Sequence, residues 1–328
     1  MLKIKKVAVL GTGVMGSQIA AHCANAGLEV LAFDMKQDIS EKGIENVTKI
    51  KPNAFYNKKN VNLIECCNYE QHLDKIKDCD WIIEAISERL DWKKDLYAKV
   101  TPYINNAIMT SNTSGISLDE LSQDLDESVK RIFFITHFFN PPRYMKLVEF
   151  IYSIFNDDSI ISDMSVFMEK TLGKGVVYAK DTPNFIANRI GVFGMITTVN
   201  ESIKRKINIE DVDGLTGALI GRPKSATFRT ADIVGLDVMQ FVSDTAYNKC
   251  INDPNRDRYI IPEQVKKLIE KGHLGQKSGA GFYKKIDKGI IHVLDFDSMD
   301  YRPINKKRFK AVTIAREQNT LEGKLKAI

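Results

Sequence analysis

The sequence is poor in cysteine, and its cysteines are badly arranged for cross-linking or metal binding. Five stand in 328 residues: Cys23, Cys66, Cys67, Cys79 and Cys250. They form an odd set without metal-ligand spacing, and the adjacent Cys66 and Cys67 are poorly placed to bridge each other. Reduced thiols in a cytoplasmic protein account for them, and no metal is expected. Long apolar runs are missing as well. No stretch approaches the length that spans a bilayer, and Met1-Leu2-Lys3-Ile4-Lys5-Lys6 leads into a strand instead of forming a signal peptide. There are no internal repeats. The net charge of +5 leaves little excess outside the final segment. There, Arg302, Lys306, Lys307, Arg308, Lys310, Arg316, Lys324 and Lys326 face only Glu317 and Glu322. A basic segment can bind nucleic acid, but this one has no interleaved aromatic pattern. Neither nucleic acid nor a membrane is expected as a partner.

What is present has an ordinary globular composition, 44% hydrophobic and 27% charged, in a chain long enough for two domains. Residues 6–10 read as a buried strand that runs directly into Gly11-Thr12-Gly13-Val14-Met15-Gly16. Ser17 to Ala26 has helical character and is closed by Gly27. Glu29 to Phe33 is the next strand, ending at Asp34. Strand, three glycines, helix, strand and acid follow in the order that binds a dinucleotide. Gly11 and Gly13 allow a tight turn and close approach of the pyrophosphate. Gly16 lets helix and strand pack closely, and the helix N-terminus beyond Val14 and Met15 attracts the anion. Asp34 alone could merely start a turn. In this setting it sits where an acid bonds the ribose hydroxyls and repels a 2′-phosphate, so NAD is favoured over NADP.

Further strands are expected over residues 80–86, 107–110, 132–135, 147–151 and 173–179, with helices over 39–51 and 91–100 and a polar loop at 57–60. This alternation implies an α/β fold with a Rossmann-type doubly wound parallel sheet. Asp181-Thr182-Pro183 marks a change of character. Residues 1–182 form the expected nucleotide domain. Residues 183–285 form a mainly α-helical second domain, starting with a long helix from Asn184 to about Lys204. Residues 286–328 read as a basic tail or linker, extended or partly disordered, with one edge strand over 289–294.

The most informative stretch is His137-Phe138-Phe139-Asn140-Pro141-Pro142, followed by Tyr144-Met145-Lys146-Leu147-Val148-Glu149. His137 falls near the carboxyl end of an apolar strand, where open α/β sheets place their ligands. Glu149 is a lone carboxylate inside a second apolar run, costly there unless something pairs with it. A pairing with His137 would fix the ring tautomer and leave the other nitrogen to accept a proton. The plainer alternative is a core histidine satisfied by a backbone carbonyl, with Glu149 reaching solvent.

The string His137 to Pro141 followed by Met145 to Glu149 resembles the signature of the 3-hydroxyacyl-CoA dehydrogenase family, and the resemblance extends over about residues 5–285. It implies oxidation of a 3-hydroxyacyl-CoA thioester by NAD, as in fatty-acid β-oxidation, with His137 and Glu149 as the catalytic dyad. Ser114, in the turn Ser111-Asn112-Thr113-Ser114, and Asn188 would then touch the substrate oxygen. Asn140 would bond the substrate or shape its turn. Glu88 and Lys93 would lie near the nicotinamide side of the cofactor. Each has a bland counterpart: turn and cap formation for Ser114, a solvated helix-start pair for Glu88 and Lys93, and packing or capping for Asn188.

The run Gly221-Arg222-Pro223 followed by Ala226-Thr227-Phe228-Arg229-Thr230-Ala231-Asp232 is similar to the dehydrogenase part of longer enzymes that also carry an enoyl-CoA hydratase. A fused or associated hydratase is therefore an expected partner, as is a second copy of the chain in a homodimer. Two rivals stand beside this reading. One is a related 3-hydroxy acid or sugar-acid dehydrogenase, which shares the first domain but not the His137 stretch. The other is a nucleotide-sensing protein without catalysis.

Overall fold

Apolar runs short enough for strands alternate with helical runs through the first half of the chain. The computed structural model describes residues 2–287, 289–305, 307 and 309–327. Two units divide the chain, Met1–Ile186 and Ala187–Ile328.

The first unit runs β1 (Lys6–Leu10), α1 (Val14–Asn25), β2 (Glu29–Asp34), α2 (Gln37–Lys49), β3 (Ile64–Asn68), β4 (Trp81–Glu84) and α3 (Leu90–Val100). It continues through β5 (Ile108–Ser111), α4 (Leu118–Ser122), α5 (Glu127–Lys130), β6 (Phe133–Phe138), β7 (Leu147–Ile151), α6 (Asp158–Lys170) and β8 (Gly175–Tyr178). These strands form one sheet in the order β3-β2-β1-β4-β5-β6-β7-β8. Both faces are covered. Val7, Val9, Ile83 and Phe134 pack with Ile19 and Met164 on one side, and Ala8, Ile82, Phe133 and Ile135 with Leu96 and Tyr97 on the other. Burial on both faces is why the strands read as unbroken apolar runs.

The sheet is parallel as far as β6, but β7 runs antiparallel to β6. The link through residues 139–146 is too short for a crossover, so the chain must turn straight back. β3 is absent from the sequence reading because Ile64-Glu65-Cys66-Cys67-Asn68 is a half-exposed edge strand without a sustained apolar run.

The second unit holds α7 (Ala187–Lys204), α8 (Ile209–Leu215), α9 (Phe228–Val234), α10 (Leu236–Lys249) and α11 (Glu263–Glu270). A small antiparallel sheet follows, β9 (Tyr283–Lys285), β10 (Ile291–Leu294) and β11 (Tyr301–Pro303), then α12 (Lys310–Glu317) and α13 (Leu321–Ala327). α7 starts at Ala187 and not at Asn184, because Asn184 and Phe185 take left-handed φ values of 63° and 49°. The expected extended tail is corrected. Val293 and Leu294 of β10 enter the core of the second unit beside Phe228 and Phe282. Arg302 donates to the buried Glu210 at 2.6 Å. The strand expected over 289–294 is present as β10, but at the centre of the small sheet and not at an edge. Its neighbours β9 and β11, three residues each, carry too weak a pattern to be read in advance. Of the basic residues counted there, Lys306 and Arg308 lie outside the described residues.

Candidate active site

The turn after β1 is shaped by two glycines that admit no side chain. Gly11 has φ +98°, and a Cβ on it would lie 2.9 Å from the carbonyl oxygen of Ala85. A Cβ on Gly16 would lie 1.8 Å from the carbonyl oxygen of Gly11. Gly13 is different. It is exposed, and a Cβ there would meet nothing within 4 Å. Gly13 is also the N-cap of α1, and no side chain caps it. The first-turn amides, those of the 70%-exposed Val14 and of Met15 among them, therefore lack a side-chain acceptor, which is what an anion needs. A cleft of about 540 Å³ opens beside this turn, lined by Gly11, Gly13, Asp34, Ala85, Ile86 and Ser87. These residues follow β1, β2 and β4, and β1 and β4 are the neighbours at which strand order reverses. Open sheets bind ligands at that point. Asp34 accepts from the backbone and hydroxyl of Thr12 at 2.8 and 2.7 Å and from the Met35 amide at 2.8 Å. Its carboxylate is thereby fixed at the cleft wall. The cradle fits a dinucleotide.

Two strands further along the sheet from β4, His137, near the carboxyl end of β6, and Glu149 of β7 are direct cross-strand partners. The ring Nδ1 lies 2.8 Å from Glu149 Oε2. His137 is 4% exposed and Glu149 is fully buried. A carboxylate only accepts, so Nδ1 carries the hydrogen and Nε2 holds the lone pair. The other carboxylate oxygen, Oε1, accepts from the Ile186 amide at 3.1 Å. Phe139 and Phe185 flank the ring, with centroids 4.4 and 5.6 Å away. The left-handed turn at Asn184 and Phe185 places both the Phe185 ring and the Ile186 amide on this pair. The sequence signal for that turn was Thr182-Pro183, which was read only as a boundary.

Ser114 is held by Glu88. Glu88 Oε1 accepts from the Thr113 hydroxyl at 2.6 Å, the Ser114 amide at 2.7 Å and the Gly115 amide at 2.9 Å. Burial pushes this carboxyl upward, but Lys93 and these donors outweigh it and hold it below the ordinary range. Lys93 is 1% exposed, with Nζ 2.6 Å from Glu84 Oε1 and 3.5 Å from Glu88 Oε2. Its nearest partners are protein carboxylates, which makes it a brace beneath the Ser114 turn. Glu84, fully buried, also accepts from Tyr97 at 2.7 Å and Ser111 at 2.6 Å. The sequence reading missed this residue, although a lone acid on a buried strand was the same signal that picked out Glu149.

Asn140 is exposed, and its side-chain oxygen accepts from Gln18 at 3.0 Å, tying the loop after β6 to α1. Asn112 was also missed. Its side-chain oxygen accepts from the Phe138 amide at 2.8 Å, fixing the end of β6 next to His137. Asn188 is half-buried in the first turn of α7, in the second unit. Among the described residues, no group of three or more His, Cys, Asp or Glu could hold a metal ion. No helix among them is long and apolar enough to cross a membrane.

Comparison with known proteins agrees with this geometry. Residues 6–182 match the model for the 3-hydroxyacyl-CoA dehydrogenase NAD binding domain, and residues 185–285 match that for the C-terminal domain. A Bacillus subtilis protein named "Probable 3-hydroxyacyl-CoA dehydrogenase" is 42% identical over 99% of this chain, which spans only 44% of that relative. A Deinococcus radiodurans protein of the same name is 44% identical, over 87% of this chain and 84% of its own length. The crystal structure of M. tuberculosis FadB2 has a TM-score of 0.76 at 26% identity, covering 86% of this chain and 99% of that one. The chain belongs to the 3-hydroxyacyl-CoA dehydrogenase family.

Proposed function

We propose that the chain oxidises the 3-hydroxyl of 3-hydroxyacyl-CoA thioesters to the 3-keto form with NAD, the dehydrogenation step of fatty-acid β-oxidation. The observation that carries this is the buried His137–Glu149 pair at 2.8 Å on one rung of the β6–β7 hairpin. NAD, when bound in the cleft beside the glycine turn, supplies the hydride acceptor. His137 Nε2 takes the proton of the C3 hydroxyl as hydride leaves C3, and Glu149 stabilises the imidazolium that forms. Ser114, held in place by Glu88, hydrogen-bonds the C3 oxygen as its charge changes, and Asn188 is proposed to do the same. In reverse, His137 returns the proton to the nascent alkoxide. NAD is preferred over NADP because Asp34 would repel a 2′-phosphate.

The chain spans less than half of the Bacillus subtilis relative. A Rickettsia prowazekii relative named "Putative fatty acid oxidation complex trifunctional enzyme", 36% identical over 98% of this chain, supports a second proposal, that the dehydrogenase works fused to or alongside an enoyl-CoA hydratase.

The test is a kcat/KM series for NADH formation over acyl-CoAs of increasing length and free 3-hydroxy acids, with NAD and with NADP. Turnover of 3-hydroxybutyryl-CoA with NAD, and none of the free acid, supports the proposal. Turnover of the free acid alone would favour the 3-hydroxy acid dehydrogenase reading. NAD binding without turnover of either would favour a nucleotide sensor.

A further inference from the structure

Lys174 lies between α6 and β8, is 5% exposed, and takes no part in the chemistry above. Its Nζ donates to the carbonyl oxygen of Pro142 and, at 2.9 Å, to that of Met145. The ammonium also stands 5.6 Å from the centroid of the Phe138 ring. Among the described residues, no carboxylate forms an ion pair with it. The titratable groups nearby are His22 and Cys23 on α1, with Arg143 in the loop. Burial and then Lys174 push the His22 ring down to about 4, so it is neutral, with Nε2 3.0 Å from the Leu172 carbonyl oxygen. Burial pushes the Cys23 thiol up to about 12. Burial likewise pulls the Lys174 ammonium down to about 8, against the opposing effect of Cys23.

A buried ammonium without a counter-ion is a cost that a methionine of similar length would avoid. The compensating gain lies in what it holds. Pro142 and Met145 belong to the link between β6, which carries His137, and β7, which carries Glu149. Lys174 is itself fixed at both sides, its amide donating to Met168 and the Gly175 amide donating to Lys146, at 2.9 and 2.8 Å. The lysine therefore pins the link from inside, between α6 and the last residue before β7. Arg143 pins the same link from outside, donating to the carbonyls of Asn53 and Phe55 at 2.6 and 2.8 Å. If the link slackens, the two strands can splay at the end it joins, and the His137–Glu149 rung is the second from that end.

We propose that Lys174 is a positioning residue, which sets the geometry of the His137–Glu149 pair by clamping the Pro142 and Met145 carbonyls. This rests on the dehydrogenase reading above. Lys174 acts through the hairpin and touches neither substrate nor cofactor. Losing the clamp lowers the rate of proton transfer while leaving both binding sites in place.

The experiment uses the full chain with 3-hydroxybutyryl-CoA and NAD. Lys174→Met and Lys174→Arg are measured in the wild-type background, and Lys174→Met also in Glu149→Gln. Lys174→Met should lower kcat by about tenfold or more, with KM for both substrates within about threefold. Lys174→Arg, which keeps charge and donors, should recover to within about threefold of wild type. In the Glu149→Gln background the same Met substitution should cost less than about threefold, since the pair it serves is already broken. A kcat within about twofold of wild type in Lys174→Met, or an equal loss in both backgrounds, overturns the proposal. If Lys174→Met does not fold, Lys174→Gln, whose shorter neutral amide cannot span both carbonyls, is read by the same criteria. Wild-type turnover in His137→Ala would instead overturn the dehydrogenase mechanism itself, so the two failures are distinguishable.

Discussion

At the scale of residues, the proposed chemistry depends on which nitrogen of one ring carries a hydrogen. Glu149 demands a donor from Nδ1 of His137, and that leaves Nε2 basic. Glutamine at position 149 can offer its own N–H to Nδ1, which would favour the tautomer with Nε2 protonated. Glu149→Gln should therefore lose about 10²-fold or more in kcat. Its NAD affinity, measured by titration, should not change. A second residue-scale prediction concerns His22. Its folded value is held down at about 4 against an ordinary 6.5, first by burial and next by Lys174. Between those values the unfolded chain binds a proton that the folded chain refuses, so stability is lost as pH falls from 6.5 towards 4. The loss is about 3 kcal/mol over the whole window. Denaturant midpoints at pH 7 and pH 4.5 should diverge more in the wild type than in His22→Gln. Equal divergence would show that His22 is not the group responsible.

At the scale of elements, the glycine turn and the β6–β7 hairpin differ in how far the sequence disclosed them. The turn was fully legible. Gly11 and Gly16 have no room for a Cβ, and that constraint is written in the residue type. Gly16→Ala must push a methyl into the Gly11 carbonyl, which overpacking places at about 1–3 kcal/mol. It should also weaken NAD binding, read by calorimetry. Unchanged affinity would mean that the turn can relax without harm. The sequence singled out the paired His137 and Glu149 of the hairpin but not their supports. Lys174, Asn112 and Phe185 act through backbone groups and turns distant in sequence, and nothing in their local pattern announces this. β3 was missed for a different reason, since an exposed edge has no need of a sustained apolar run. Of the small second sheet, β10 was read, though as an edge strand where it is the central one. β9 and β11 were missed because three residues each are too few for a period to show.

At the scale of the whole molecule, the family resemblance named candidate site residues but not the means by which they are held. The two units can be read separately from composition, since strand alternation stops where the helical pattern begins. The NAD binding domain matched in the family ends at 182, while the compact first unit runs on to Ile186. The irregular turn at Asn184 and Phe185 belongs structurally to the first unit because it packs on His137. The second unit carries exposed apolar side chains, including Ile190 at 67%, Ile233 at 61% and Phe241 at 51%. Apolar surface of this kind on a helical unit supports the proposed homodimer. Light scattering on a sizing column should give twice the chain mass of 37.1 kDa. A single-chain mass at micromolar concentration would remove the homodimer.

The most direct test of the proposed mechanism is the kcat of NADH formation from 3-hydroxybutyryl-CoA in His137→Ala, Glu149→Gln and the double variant. If the two side chains act as one unit, each single substitution removes most of the rate, and the double variant is little slower than the His137 variant. Losses that simply multiply, or a His137→Ala enzyme within a few-fold of the wild type, would contradict the account.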